Sequence, residues 1–140
     1  MPEYEIFDLG QLTTLQRLLG RYGLPYGGHV HVDLVMGVPG GMPGTAAALV
    51  ACHQALRDLP AGTTFSATGI GRSTIAVMLA SLSAGGHLRV GMKDTITYAK
   101  GQPVESNMQL VARAAGFAQL AQRPPLTAAA TRDLLGIPSR

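Results

Sequence analysis

The chain has 140 residues, 46% of them apolar and 14% charged. It is too apolar for a disordered tail, and its eighteen glycines and nine prolines punctuate it too often for a long coiled coil. Eleven Lys and Arg against eight Asp and Glu give a formal net charge of +3, but the cations are scattered and not interleaved with aromatics, which argues against nucleic acid.

The length suits one domain, 1–140, with room for a real core. A single cysteine, Cys52, excludes an intrachain disulfide framework and a cysteine-only zinc site. No apolar run approaches the roughly 20 residues that span a membrane. The N-terminus has no basic flank followed by an apolar stretch, so no signal peptide is expected. These readings predict a soluble, cytoplasmic protein without membrane partners.

Short apolar runs alternate with helical patterns along the chain. Tyr4 to Asp8 reads as a strand. Leu12, Leu15, Leu18 and Leu19 recur at helical spacing up to Tyr22, and Gly23 supplies the stop. Val30 to Val38 reads as a second strand, running into Pro39-Gly40-Gly41. Thr45 to Leu59 reads as helix, and Thr63 to Thr68 as a third strand. Ser73 is placed to cap a helix reaching Ala84. His87 to Gly91 reads as the fourth strand, Val104 to Gln122 as a long helix. Thr127 caps a last short helix closed by Gly136 and Pro138.

Strands separated by helices imply crossover connections and a parallel α/β sheet. Two architectures fit: a small open doubly wound sheet, or part of a (β/α)₈ barrel, which needs about 250 residues when complete. Both put ligand chemistry at the C-terminal ends of the strands, here Asp8, Gly37–Gly41, Thr68–Arg72 and Arg89–Asp94.

Several residues there can carry chemistry. His29 and His31 alternate on a strand and so share a face that could hold a metal. They also read as two satisfied histidines at the strand start, the wrong end for a parallel α/β active site. Gly69-Ile-Gly71-Arg72-Ser73 between a strand and a helix is either an anion cradle or a plain glycine turn. Arg89 and Lys93 suit a carboxylate or phosphate, and Asp94 beside them stays ionised and can act as a base. A local ion-pair cluster is the alternative, and function is favoured because such charges are costly to bury for stability alone. Glu3 and Glu5 share a face, with Asp8 the remaining acid near a strand end. Cys52 reads as core. His53 has no nearby partner, and Met36, Met78 and Met108 read as core or lining residues.

Taken together, several stretches resemble the C-terminal half of the β-keto acid cleavage enzymes, the family of 3-keto-5-aminohexanoate cleavage enzyme. They are Pro2-Glu-Tyr-Glu-Ile-Phe-Asp8-Leu-Gly10, Val35-Met-Gly-Val-Pro-Gly-Gly-Met42, Gly69-Ile-Gly-Arg72, Gly85-Gly-His-Leu-Arg-Val-Gly-Met-Lys-Asp94 and, less closely, Ala130-Thr-Arg-Asp-Leu-Leu-Gly136. The resemblance implies a TIM-type (β/α)₈ barrel of about twice this length, of which this chain supplies four parallel strands alternating with helices plus a C-terminal helix pair. It implies cleavage of a small-molecule β-keto acid with an acetyl-CoA-type co-substrate, giving acetoacetate and a new CoA thioester. Arg89 and Asp94 match the family's catalytic pair, and Glu5 its pocket glutamate. Gly40, Gly41, Gly71 and Arg72 are assigned to substrate binding.

The resemblance also implies a zinc ion. The family's His-x-His ligands belong to the missing N-terminal half, and Lys93 stands where the third ligand, a glutamate, is found. An ammonium cannot ligate zinc, so this chain is expected to bring no metal ligand of its own. Three readings follow. The chain is a truncated or split member; or Lys93 supplies the positive charge the metal would have brought; or the protein is a non-catalytic half-barrel that binds a ligand or partner. All three predict association, as a homo-oligomer or with a chain carrying the N-terminal half, because a half-barrel leaves two sheet edges unpaired.

Overall fold

From the N-terminus to the fourth strand, the apolar period switches between two residues and 3.6, and the backbone follows it. The computed structural model describes residues 1–138. In order it contains β1 (Glu3–Ile6), α1 (Leu9–Tyr22), β2 (His31–Met36), α2 (Ala46–Ala55), β3 (Thr64–Gly69), α3 (Thr74–Ser83), β4 (His87–Leu88), β5 (Thr97–Ala99), β6 (Gln102–Pro103), α4 (Asn107–Leu120) and α5 (Ala128–Leu134). Short 3₁₀ turns cover Leu56–Asp58 and Gly71–Ser73. Among the described residues, no helix is long and apolar enough to cross a membrane.

The four strands β1 to β4 lie side by side in chain order, every neighbouring pair parallel. Alternation then sorts their side chains. Ile6, Val32, Leu34, Met36, Phe65 and Ala67 form one core with Leu12, Leu15 and Leu19 of α1, Leu49 and Cys52 of α2 and Val77 of α3. The register sets Glu3 beside His31 and Thr64, and Glu5 beside Asp33, Ser66 and His87, all on the opposite face. One face of the sheet is therefore apolar and covered by helices; the other is polar. Near the N-terminal ends of the strands, Leu126, Thr131, Leu134 and Leu135, from α5 and the segments flanking it, line a cleft with Glu3, His31, Ser66, His87 and Arg89.

Helix starts follow the capping residues. The side-chain oxygens of Asp8, Thr45, Ser106 and Thr127 accept from Gly10, Ala48, Gln109 and Ala130 N–H at 2.8, 3.2, 3.4 and 3.2 Å, each worth about 1 kcal/mol. Gly23, at φ +83°, ends α1 as expected.

Four local expectations are corrected. Ser73 makes no side-chain cap for α3. Its neighbour Thr74 instead donates to the carbonyls of Gly69 (2.8 Å) and Gly71 (2.7 Å), winding a tight 3₁₀ entry. The fourth strand stops at Leu88, not Gly91, because this edge strand leaves the ladder where Arg89 reaches over the polar face. Residues 97–103 form an antiparallel hairpin, β5–β6, which apolar alternation gave no sign of. The following helix begins at Asn107, not Val104, because Val104 N–H still bonds back to Ile96 across the hairpin (2.9 Å). Arg113 of α4 pins that hairpin, donating to the Tyr98 carbonyl with its guanidinium 4.5 Å from the Tyr98 ring.

Candidate active site

At the C-terminal end of the polar face, one guanidinium gathers three carboxylates. Arg89 Nη1 bonds Glu5 Oε1 and lies 2.9 Å from Asp33 Oδ2, while Nη2 lies 3.3 Å from Asp94 Oδ1. Lys93 Nζ stands 4.0 Å from the same Glu5 oxygen. Every ion pair among the described residues falls in this cluster. The carboxylates come from β1, β2 and the turn after β4, so the parallel register and the turn together build the site.

Asp33 sits in the middle of β2, on the polar face and opposite the apolar side formed by Val32, Leu34 and Met36, and is fully buried. Its Oδ1 accepts from Ser66 Oγ (2.8 Å) and Thr68 Oγ1 (3.0 Å), its Oδ2 again from Thr68 (2.9 Å). Burial pushes the Asp33 carboxyl above the usual range, against the pull of Ser66, Arg89 and Thr68. Glu5, partly open to water, is held below the usual range by its hydrogen bond from Arg89. Glu3 is raised by burial and by the nearby Asp33 charge.

The loops above the strands interlock. Met42 N–H bonds Phe7 carbonyl oxygen at the end of β1 (2.7 Å), and Gly71 N–H bonds the Asp94 carbonyl (2.8 Å). Met92 N–H bonds the Asn107 side chain (2.8 Å), anchoring the 91–94 turn to the start of α4. Ser73 fills the gap between two glycines: a Cβ on Gly44 would come 2.1 Å from its Oγ, and one on Gly37 2.9 Å. The Gly71 and Met92 N–H bonds hold the turn that carries Asp94. The carboxylate is buried, and its Oδ2 accepts no hydrogen bond among the described residues.

The comparison with known families falls on this same set of strands and loops. The model of the beta-keto acid cleavage enzymes matches residues 1–137.

The chain belongs to the β-keto acid cleavage enzyme family.

Among relatives, it is 34% identical over 138 residues to a 3-oxoadipate:acetyl-CoA acetyltransferase of Cupriavidus necator, covering 99% of this chain and 48% of that protein. It is 32% identical over 140 residues to a 3-keto-5-aminohexanoate cleavage enzyme of Acetoanaerobium sticklandii, covering 97% and 48%. A 3-dehydrocarnitine:acetyl-CoA trimethylamine transferase of Rhizobium meliloti is 38% identical over 113 residues, covering 81% and 36%. The chain spans about half the length of the curated relatives it matches.

Within this member of the family, the residues singled out in the sequence fall into three groups. Arg89, Asp94 and Glu5 meet, with Lys93 at their edge. Gly71 touches the group through its N–H to Asp94, while Arg72 is exposed and makes no ion pair among the described residues. Gly40 and Gly41 lie in the loop over β1: Gly40 takes φ +84°, and a Cβ on Gly41 would strike the Phe7 carbonyl at 2.8 Å. Asp33 escaped the sequence reading. Its signal was present, an acid between Val32 and Leu34 in a buried strand, where a charge demands a partner.

His29 and His31 lie at the other end of the sheet. Nε2 of one and Nδ1 of the other both meet Thr64 Oγ1 at 2.7 Å, so they read as satisfied histidines. Cys52 is core, as are Met36 and Met78; Met108 is 80% exposed, contrary to its expected place in the core or a lining. Arg140, one of the scattered cations, lies outside the described residues.

The donor set here does not suit a divalent cation on its own. Glu5, Asp33 and Asp94 all face the Arg89 guanidinium, and Lys93 adds a second cation beside Glu5. Among the described residues, no three His, Cys, Asp or Glu side chains are grouped to hold a metal ion.

Proposed function

We propose that this chain supplies the acid–base half of a β-keto acid cleavage site, working on a small β-keto acid and an acetyl-CoA-type thioester. The observation that carries the reading is the Arg89 guanidinium between Asp94 and Glu5 at the C-terminal end of the strands. Asp94 Oδ2 takes the proton from the carbon between carboxylate and ketone. Arg89 faces the negative charge that develops on the enolate oxygen. The enolate carbon attacks the thioester carbonyl and the C–S bond breaks, releasing CoA thiolate. The thiolate then adds to the original ketone, and C–C cleavage gives acetoacetate and a new CoA thioester, the acetoacetate carbon recovering a proton. The Gly40–Gly41 loop and Gly71–Arg72 border the space in which the substrates meet.

The same proposal reads the sheet as half of a (β/α)₈ barrel. Its strands run in unreversed chain order, with α1, α2 and α3 on one face. A doubly wound sheet would reverse that order at a switch point and cover both faces. The outer edge of β1 and the outer edge of β4 pair with no strand among the described residues. Each edge opens on a groove: one beside Leu18 and Tyr22 of α1, the other beside Val111 and Ala115 of α4. Unpaired parallel edges call for further strands, from a chain carrying the N-terminal half or from a second copy.

The test is reconstitution. The N-terminal half of the Cupriavidus necator relative, expressed separately, is mixed with this chain and supplied with 3-oxoadipate and acetyl-CoA. Acetoacetate that forms only when both chains are present supports the reading. Halves that co-elute in size-exclusion chromatography yet form no acetoacetate overturn it. Light scattering of this chain alone distinguishes self-association from a need for the other half.

A further inference from the structure

The three carboxylates around Arg89 are not equivalent. Asp33 has no solvent exposure, lies on β2 with paired strands on both sides, and has both oxygens filled by Ser66, Thr68 and Arg89. Withdrawing it from Arg89 would strand a carboxylate inside the protein. Glu5 shares the same Nη1, but it stands on an edge strand with 37% of its side chain exposed, where water replaces a lost ion partner at little cost. Lys93 Nζ, 4.0 Å from Glu5 and well exposed, offers it a second cation.

We propose that Asp33 is the positioning residue of this site. It anchors the Arg89 guanidinium from within the sheet, and Glu5 is the partner that yields Nη1 to an incoming substrate carboxylate or enolate, moving onto Lys93. This rests on the cleavage reading above. The geometry gives the exchange a purpose. With Asp33 fixed on Nη1 and Asp94 on Nη2, a substrate oxygen that takes the place of Glu5 lies on the same guanidinium as the base. Its acidic C–H is then brought toward Asp94 Oδ2 without any movement of Arg89.

The proposal is tested by NMR of the arginine side-chain nitrogens in the full chain, with acetoacetate as the β-keto acid probe. Arg89 shows separate, slowly rotating Nη signals in the wild type and in Glu5→Gln, and these collapse in Asp33→Asn. Acetoacetate shifts the Arg89 signals in the wild type. It binds several-fold more tightly to Glu5→Gln, which has lost the competing carboxylate, and about tenfold or more weakly to Asp33→Asn, a factor of ten being about 1.4 kcal/mol. If Asp33→Asn does not fold, Thr68→Val takes its place: it loosens Arg89 by removing a hydroxyl from Asp33, and Thr68→Ser restores the signals. Equal loosening by Glu5→Gln and Asp33→Asn, or unchanged signals in both Asp33→Asn and Thr68→Val, overturns the anchor. Signals that follow the anchor pattern but ignore acetoacetate count against the cleavage reading and the yielding of Glu5, and leave the anchor standing.

Discussion

The two ends of the polar face use similar residues to opposite effect. At the N-terminal end, His29 and His31 share one Thr64 hydroxyl, and the His87 ring lies 6.2 Å from that of His31. Burial, with help from His87 and His29, pushes His31 down to about 4, so the His31 ring stays neutral near neutral pH. At the C-terminal end, Arg89, Glu5, Asp33 and Asp94 bring full charges together beside open loops. Titratable residues crowd both ends, so their density alone does not mark a site. What marks the upper end is charge held in excess: three carboxylates on one guanidinium, two of them buried, is more than stability asks for.

Arg89 sets the two ends apart most strongly. Arg89→Met leaves Asp33 buried and unpaired, and is expected to cost about 3 kcal/mol in urea denaturation at neutral pH and to abolish acetoacetate formation in the reconstituted pair. The raised Asp33 carboxyl sets the sign of the pH effect. Protonation relieves the buried charge, so the penalty shrinks in acid and grows as pH rises past the carboxylate range. A penalty independent of pH would show that Asp33 is not what Arg89 neutralises.

The lower end is expected to respond in the opposite direction. The folded-state affinity of His31 for protons is depressed, so its contribution is intact above about pH 6.5 and is lost as pH falls toward 4. Between those limits the unfolded chain binds the proton first, a loss of up to about 2–3 kcal/mol in denaturation free energy. His31→Gln should flatten that part of the pH profile.

Smaller effects probe the loops that join the upper end together. Gly44→Ala forces a methyl against Ser73 and should cost about 2 kcal/mol, with Ser73→Gly in the same chain recovering part of it. Without that recovery, the two loops do not meet as described. Arg123 takes no part in the Arg89 cluster. It donates to the carbonyls of Leu82, Gly85 and Gly86 at the end of α3. Arg123→Met should lower stability by about 1 kcal/mol while leaving the Arg89 side-chain signals unmoved.

Much of this was legible in the sequence. Period-two and 3.6 patterns located the alternating strands and helices, and Asp8-Leu-Gly10, Thr45 and Thr127 stand at helix starts. The Arg-Val-Gly-Met-Lys-Asp stretch announced charge at a strand end. The hairpin at 97–103 escaped because it is held by backbone bonds and by Arg113 on Tyr98, neither of which leaves an alternating apolar trace. Ser73 looked like a cap because a hydroxyl before a helix usually is one. Its hydroxyl instead packs against Gly37 and Gly44, a contact between residues about thirty positions apart.

The sequence by itself determined the four alternating strands and the helices around them, though not the 97–103 hairpin, and that Arg89 and Asp94 would be near one another, since they are five residues apart in a short turn. Only the tertiary structure decided that Glu5 and Asp33 join them. Parallel pairing sets β1, β2, β3 and β4 in register, and register is a property of strands brought together from across the chain. A one-residue slip would send Asp33 to the opposite face. The burial of the apolar face against three helices prevents that slip, and so the core on one side of the sheet sets the chemistry on the other.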